Sequence, residues 1–385
     1  MKMALTAKRL WDGSGFLDRP LVIVDDGIVV ALTTQDACEI PVESKRMEFP
    51  SATLAPAFLD VHIHGAAGHD AMEATPAAMA AMGGFLATRG TTSFLATTVT
   101  APIDATLRAL CDLARIIATP PQGKCARPLG IHLDGPFLSP AKRGVHPPSE
   151  LAAPSITLFD RFYEAAEGQI KLMTLAPELP GAVELGAHAT ARGVRVSLGH
   201  SNATAAETRA AMAGGAVSAT HTFNAMRPLD HREPGILGVV LTEEALFAEI
   251  ICDGVHTAPE MVRLWWRAKG PERALLVTDA ISATGMTDGE YMLGDFAVQV
   301  ANGRAMAGGV LAGSVLTLDR ALANFMAFTG ATLEEGLPLV TRNPAAMTGL
   351  DAGSLRVGGA ANLVALDAAG NLIASFVNGV VATRN

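Results

Sequence analysis

Two histidines separated by one residue, His62 and His64 in Asp60-Val61-His62-Ile63-His64-Gly65, are the first residues in this chain whose type and spacing could do chemistry. On a β-strand, residues two apart point to the same face, so the two imidazoles project together. Their Cα atoms would lie about 6–7 Å apart at a rise of about 3.3 Å per residue. At that separation two neutral imidazoles can grip one metal ion. The alternative is a chance pair at a strand end, stacked or hydrogen-bonded. Gly65 then lets the chain leave the strand with no side chain in the way.

Further residues of the same kind recur at regular places. Asp134, His200, His221 and Asp279 each close a stretch that reads as a strand, and each is followed by turn or helix signals. Taken singly, a strand-end histidine is a satisfied structural residue and a strand-end aspartate caps the next helix. Taken with His62 and His64, they are four histidines and two carboxylates from five strand ends. If those ends converge, their ligand types make a metal centre.

The elements that must position them alternate. Strand-like runs at 60–64, 91–99, 129–134, 170–175, 194–200, 216–221, 247–252 and 274–279 are separated by helical stretches, notably 76–88, 102–118, 203–213 and 259–268. Eight strands in βα alternation imply parallel strands with helical crossovers, and match a (β/α)8 TIM-type barrel, whose active sites form at the C-terminal strand ends. An open doubly wound sheet is the runner-up. It usually carries a Gly-rich phosphate turn after the first strand, and here that turn reads His64-Gly65-Ala66-Ala67-Gly68, without GxGxxG. Both chain ends are rich in short strands, among them 21–24, 27–32, 358–367 and 372–382. They are expected to form one small β-sandwich domain from residues 1–53 and 346–385, with the hydrolase barrel spanning 54–345.

Bulk properties narrow the class. The 385 residues are 49% hydrophobic and 17% charged, which describes a globular chain with a generous core. A net charge of −9 argues against nucleic-acid and anionic-membrane surfaces. Cys38, Cys111, Cys125 and Cys252 show no CxxC spacing and read as reduced thiols. The N-terminus lacks the apolar core of a signal peptide, and no run of about 18 apolar residues occurs, so the cytoplasm is the expected compartment.

The paired histidines of strand 1, the single histidines ending strands 5 and 6 and the aspartate ending strand 8 resemble the amidohydrolase superfamily. GIHLDGPF (130–137), KRGVHP (142–147), GHSNAT (199–204), HTFNAM (221–226), REPG (232–235), DGVH (253–256), VTDA (277–280) and AGS (312–314) resemble, more narrowly, the N-acetylglucosamine-6-phosphate deacetylase family. The resemblance implies metal-dependent hydrolysis of an acetamide on a phosphorylated amino sugar. It assigns Asp134, His200 and His221 to a principal ion, and His62 and His64 to a second. Asp279 would be a ligand and the general base, then acid. His146 would stabilise the oxyanion. Val145, His146, Asn224, Ala225, Arg232, His256, Ala312, Gly313 and Ser314 would bind substrate. Arg232, suited to phosphate by its planar fork, would come from the neighbouring subunit of a homodimer.

In one place the chain departs from the family pattern: Asp134 stands where the family normally carries glutamate, one methylene longer. The histidines of strand 1 also vary within the family, and their retention here favours two ions over one. The mixed imidazole and carboxylate set suits Zn, with Fe, Mn and Co as alternatives. Two other functions are carried forward: an amidohydrolase acting on another acylated amine or cyclic amide, and a non-catalytic barrel scaffold.

Overall fold

Every residue of Phe58–Ile63, Thr91–Thr97, Phe247–Ile251 and Ala274–Val277 is buried. Strands covered on both faces belong in a parallel sheet with helices outside it. A computed structural model, which describes residues 2–119 and 123–384, has that arrangement. Met1 and Asn385, the outer limits of the expected terminal domain, lie outside those residues. The strands are β1 (Phe58–Ile63), β2 (Thr91–Thr97), β3 (Arg127–Asp134), β4 (Ile170–Leu175), β5 (Arg195–Leu198), β6 (Ala216–Ala219), β7 (Phe247–Ile251) and β8 (Ala274–Val277), paired in sequence order and parallel throughout.

The ring closes between β8 and β1. Ile63 and Ala280 form a parallel bridge, Asp279 N–H donates to the His62 carbonyl at 2.9 Å, and His64 N–H donates to Ala280 at 2.8 Å. Beneath them the buried Asp60 carboxylate accepts the Thr278 hydroxyl at 2.6 Å and the His62 amide at 3.2 Å. The seam is therefore held by side-chain as well as backbone hydrogen bonds.

Outside the ring lie α1 (Pro76–Thr88), α2 (Ile103–Ala118), α3 (Ile156–Ala165), α4 (Ala182–Ala191), α5 (Ala205–Ala213), α6 (Gly235–Thr242), α7 (Pro259–Arg273) and α8 (Leu318–Thr329). Their starts follow local chemistry. Thr75 caps α1 with Pro76 in its first turn, and Thr204 and Glu207 form a reciprocal capping box on α5. Thr204 is also the last residue of GHSNAT, so part of that motif specifies a helix start. Among the described residues, no helix is long and apolar enough to cross a membrane.

Strands from both chain ends share one eight-stranded mixed sheet. Lys45–Pro56 sits at its centre, parallel to Met3–Trp11 and antiparallel to Leu363–Leu366. Leu5, Leu10, Val22, Leu54, Leu363 and Phe376 form its core. Only Ala57 separates Lys45–Pro56 from β1, so the sheet runs directly into the barrel.

One element is absent from the expectations above. Between β8 and α8 an antiparallel meander is built from Gly289–Leu293, Phe296–Ala301, Arg304–Ala307 and Val310–Leu311. Its signals are present in the sequence: alternating Tyr291/Leu293 and Val298/Val300, and an Asn302-Gly303 turn in which both residues take positive φ, 51° and 73°. Asn-Gly is the strongest short hairpin signal because the favoured two-residue turn needs both residues left-handed. Leu293, Val298, Val300 and Ala305 pack with Val99 and Ile281 into a separate small core.

The seam yields a stability prediction. Thr278→Val keeps the shape but removes the hydroxyl that donates to Asp60, leaving a buried carboxyl short of a partner. Unfolding in urea should show a loss of about 1–3 kcal/mol with an unchanged slope; an unchanged midpoint would remove the Asp60–Thr278 pair from the closure.

Candidate active site

The C-terminal ends of the barrel strands bring the expected residues to one mouth. His62 and His64 leave β1 with ring centroids 5.3 Å apart. Asp279, just past β8, places Oδ1 3.4 Å from His62 Nε2 and 3.2 Å from His64 Nε2. These three residues form one group with donor atoms within 4.8 Å of one another, and Asp134, His146 and His200 form a second. His221 joins the second through its Nε2, 3.1 Å from His200 Nε2. Asp134 stands between the groups: its Oδ2 is 4.0 Å from the Nε2 atoms of His62 and of His64, and 3.5 Å from His146 Nε2.

Backbone strain sets several of these positions. His200, His221 and Asp279 take φ of 47°, 29° and 49°, and Phe223 and Ala225 are also left-handed. Such conformations cost of order 1–3 kcal/mol each and persist where the surroundings over-determine them. Here the surroundings are a pair of stitched loops. Ser201 N–H donates to the Ala225 carbonyl at 3.0 Å, and Arg227 N–H donates to Ser201 at 2.9 Å. Glu178 accepts the Ser201 hydroxyl at 2.8 Å and the Asn202 N–H at 2.6 Å. GHSNAT and HTFNAM are therefore one interlocked unit.

Hydrogen bonds fix which ring nitrogens face the mouth. His200 Nδ1 lies 3.0 Å from the Lys142 carbonyl, which can only accept, so Nδ1 carries the proton and Nε2 presents a lone pair. His62 Nδ1 lies 3.3 Å from a Glu249 carboxylate oxygen, which turns its Nε2 to the mouth in the same way. His146 is the reverse. Its Nδ1 accepts the Thr100 backbone N–H at 3.3 Å, so the neutral ring carries its proton on Nε2 and is a donor there.

Charge in the cluster is unbalanced. Burial alone would raise both aspartates. Instead, His146, His200 and His62 hold Asp134 well below the usual carboxylate range, and His62, His64 and His221 hold Asp279 below it. Burial works against charge on His62, but Asp279, Glu249 and Asp134 raise its pKa to about 10. Burial, reinforced by His146 and His221, pushes His200 down to about 3, and burial also lowers His221. The inward lone pair of His200, the ionised carboxylates and buried polar atoms with no hydrogen-bond partner, among them His62 Nε2 and Asp134 Oδ1, are what a divalent cation would satisfy, displacing the proton that His62 Nε2 holds. The residues fit a metal.

Above the cluster opens a cavity of ≈ 330 Å³, lined by His64, Asp134, Lys142, Val145, His146, His200, His221, Asn224, Ala225, His256, Asp279 and Gly313, together with Val99, Leu293, Val310 and Leu311. His256 bonds Asp253 Oδ2 through Nδ1 at 2.7 Å; burial opposes its charge, yet Asp253 raises its pKa. At Gly313, φ is 64° and a Cβ would meet Ile281 at 2.5 Å and the Asp279 carbonyl at 2.8 Å, so this wall requires glycine. Ala312 and Ser314 stand behind the lining: Ala312 packs in the meander core, and Ser314 donates to the Thr278 carbonyl at 2.5 Å. Arg232 lies exposed on the loop before α6, outside the lining.

Sequence reasoning missed the supports beneath these residues: Glu249, Asp60, Thr100 and the Lys142 carbonyl. A glutamate inside the apolar run Phe247-Ala248-Glu249-Ile250-Ile251 was a readable signal. The Lys142 carbonyl and the Thr100 amide were not, since every residue carries those groups.

Comparisons with known proteins agree with this geometry. Residues 53–382 match the model of the Amidohydrolase family. The chain is 36% identical to an N-acetylgalactosamine-6-phosphate deacetylase of Escherichia coli O157:H7, covering 100% of both. It is 34% identical to an N-acetylglucosamine-6-phosphate deacetylase of Vibrio furnissii, covering 97% of this chain and 93% of the relative. Among solved structures, a mutant N-acetyl-D-glucosamine-6-phosphate deacetylase of Mycobacterium smegmatis in complex with N-acetyl-D-glucosamine-6-phosphate superposes with a TM-score of 0.92 at 35% identity, covering 99% of both chains.

The charge imbalance predicts a cost for metal removal. Purified protein should carry at least one metal per chain, and stripping it with a chelator should lower the thermal midpoint by on the order of 5 °C. A sub-stoichiometric metal content with an unchanged midpoint would exclude a resident metal.

Proposed function

The chain belongs to the amidohydrolase family, and from that premise we propose that it hydrolyses the acetamide of N-acetyl-D-glucosamine 6-phosphate to D-glucosamine 6-phosphate and acetate. The observation that carries this reading is the cavity whose floor is the two buried donor groups and whose wall holds His256, Asn224 and the stitched loops. Asp134, His200 and His221 would hold the principal ion, and His62, His64 and Asp279 a second. Zinc suits the set first, then Fe, Mn or Co. A divalent ion so held makes hydroxide available near neutral pH and draws charge from the amide carbonyl.

The chain's own residues supply the rest. Asp279, ionised and facing the cavity, accepts the proton of the attacking water. It then returns that proton to the sugar nitrogen as the C–N bond breaks, so the amine leaves neutral. His146, with its proton on Nε2, donates to the oxygen on which charge develops. Because Thr100 N–H occupies Nδ1, the donor cannot turn into an acceptor without losing that bond. His256, its pKa raised by Asp253, and the Asn224-Ala225 turn face the phosphate end; Val145 and Gly313 wall the sugar, backed by Ala312 and Ser314. Arg232, exposed and outside its own cavity, would reach the site of a neighbouring subunit, which makes the working unit a homodimer. The four free cysteines suit a reducing compartment such as the cytoplasm.

The galactosamine epimer is a second reading, favoured by the full-length match to the E. coli enzyme named for it. Acetate release from both phosphorylated epimers decides between them.

Asp279→Asn should keep the fold and lower kcat by at least about 10²-fold; near-normal turnover would remove Asp279 from proton transfer. Arg232→Ala should raise KM for the phosphorylated sugar by about tenfold or more, the worth of a charge-assisted contact. Slow hydrolysis of the unphosphorylated sugar should stay unchanged. Equal effects on both substrates would count against phosphate contact.

A further inference from the structure

Glu249 stands at the centre of β7 with no exposed surface. A carboxylate there is costly unless its partners repay its lost hydration, so those partners indicate why the position holds one. Its Oε2 lies 3.3 Å from His62 Nδ1 and accepts the backbone N–H of His221 at 3.2 Å. Its own carbonyl accepts the N–H of Thr222 at 2.8 Å. One residue of β7 thus touches an imidazole from β1 and the backbone just past β6.

Both contacts constrain donors. The Glu249 oxygen at 3.3 Å accepts from Nδ1, which orients the ring with Nε2 toward Asp279 and Asp134. His221 takes a φ of 29°, a conformation that needs outside support. The bonds from Glu249 to the amides of His221 and Thr222 supply that support on the barrel side.

We infer that Glu249 is a positioning residue for the metal centre: it sets the tautomer and orientation of His62 and pins the turn that presents His221, without itself reaching the cavity. This rests on the reading of His62 and His221 as ligands. A carboxylate behind a ligating histidine raises the ligand's basicity and limits its rotation, and losing such a partner typically costs 10–100-fold in metal affinity. A residue that merely filled space in the barrel would leave metal affinity unchanged.

The test measures metal affinity by chelator competition, with metal content per chain by mass spectrometry and the unfolding midpoint in parallel. Glu249→Gln keeps the shape and removes the charge. It should weaken at least one ion by about 10–100-fold and lower kcat with little change in KM. In a His62→Gln background the same substitution should cost less than in the wild type, because one of its two targets is gone. Glu249→Asp withdraws the carboxylate by one methylene while keeping its charge. It should also lose affinity, and it decides the matter if the glutamine variant fails to fold. Wild-type affinity in a folded variant, or full additivity with His62→Gln, overturns the role of Glu249 while leaving the ligand reading intact. Wild-type protein that binds no metal overturns both.

Discussion

Two ionised carboxylates, Asp134 and Asp279, are held out of water at the mouth of the barrel. Buried charge is tolerated only when it is paired and hydrogen-bonded, and most of the local design follows from that. Imidazoles crowd around both groups. Each mouth-facing nitrogen that can be assigned is fixed from behind by a group of settled polarity: a carbonyl behind His200, a carboxylate behind His62, an amide behind His146. The first leaves a lone pair facing inward, the second turns toward the aspartates a nitrogen whose proton a cation would displace, and the third leaves a proton. Two metal-seeking nitrogens and one hydrogen-bond donor thus arise from one side-chain type, distinguished by what stands behind each ring.

Closure of the ring and geometry of the site are the same set of bonds. Asp279 N–H to His62 O, and His64 N–H to Ala280 O, join the last strand to the first. They also fix the distance between the aspartate and the two histidines it faces. Asp60 and Thr278 lock that seam from below. A register error at closure would therefore disturb catalysis before it exposed much apolar surface.

Much of this was legible in advance for physical reasons. The eight barrel strands were visible because a strand buried on both faces must be a short apolar run between turn signals, and polar residues at the ends of such runs stand out. His200 and Asp279 were placed at strand ends and lie just beyond them, because their left-handed backbone ends the ladder. The meander was missed because attention to a βα period overlooked a period of two, although Asn302-Gly303 marks its central turn. Glu249 lies inside the run 247–252 read as a strand, and a glutamate in a doubly buried strand needs a partner. The Lys142 carbonyl and Thr100 amide carry no side-chain signature, so only coordinates could reveal that they decide tautomers. Arg232 is exposed and outside the lining of this cavity.

The meander between β8 and α8 contributes Leu293, Val310 and Leu311 to the lining of the cavity, pairs within itself and shares its core with Val99 and Ile281. It holds none of the six residues gathered around the donor groups. Changes in its turns and cavity-lining residues would therefore leave the buried donor groups untouched. The residues gathered around the donor groups stand at the strand ends, and the meander shapes another part of the same cavity wall.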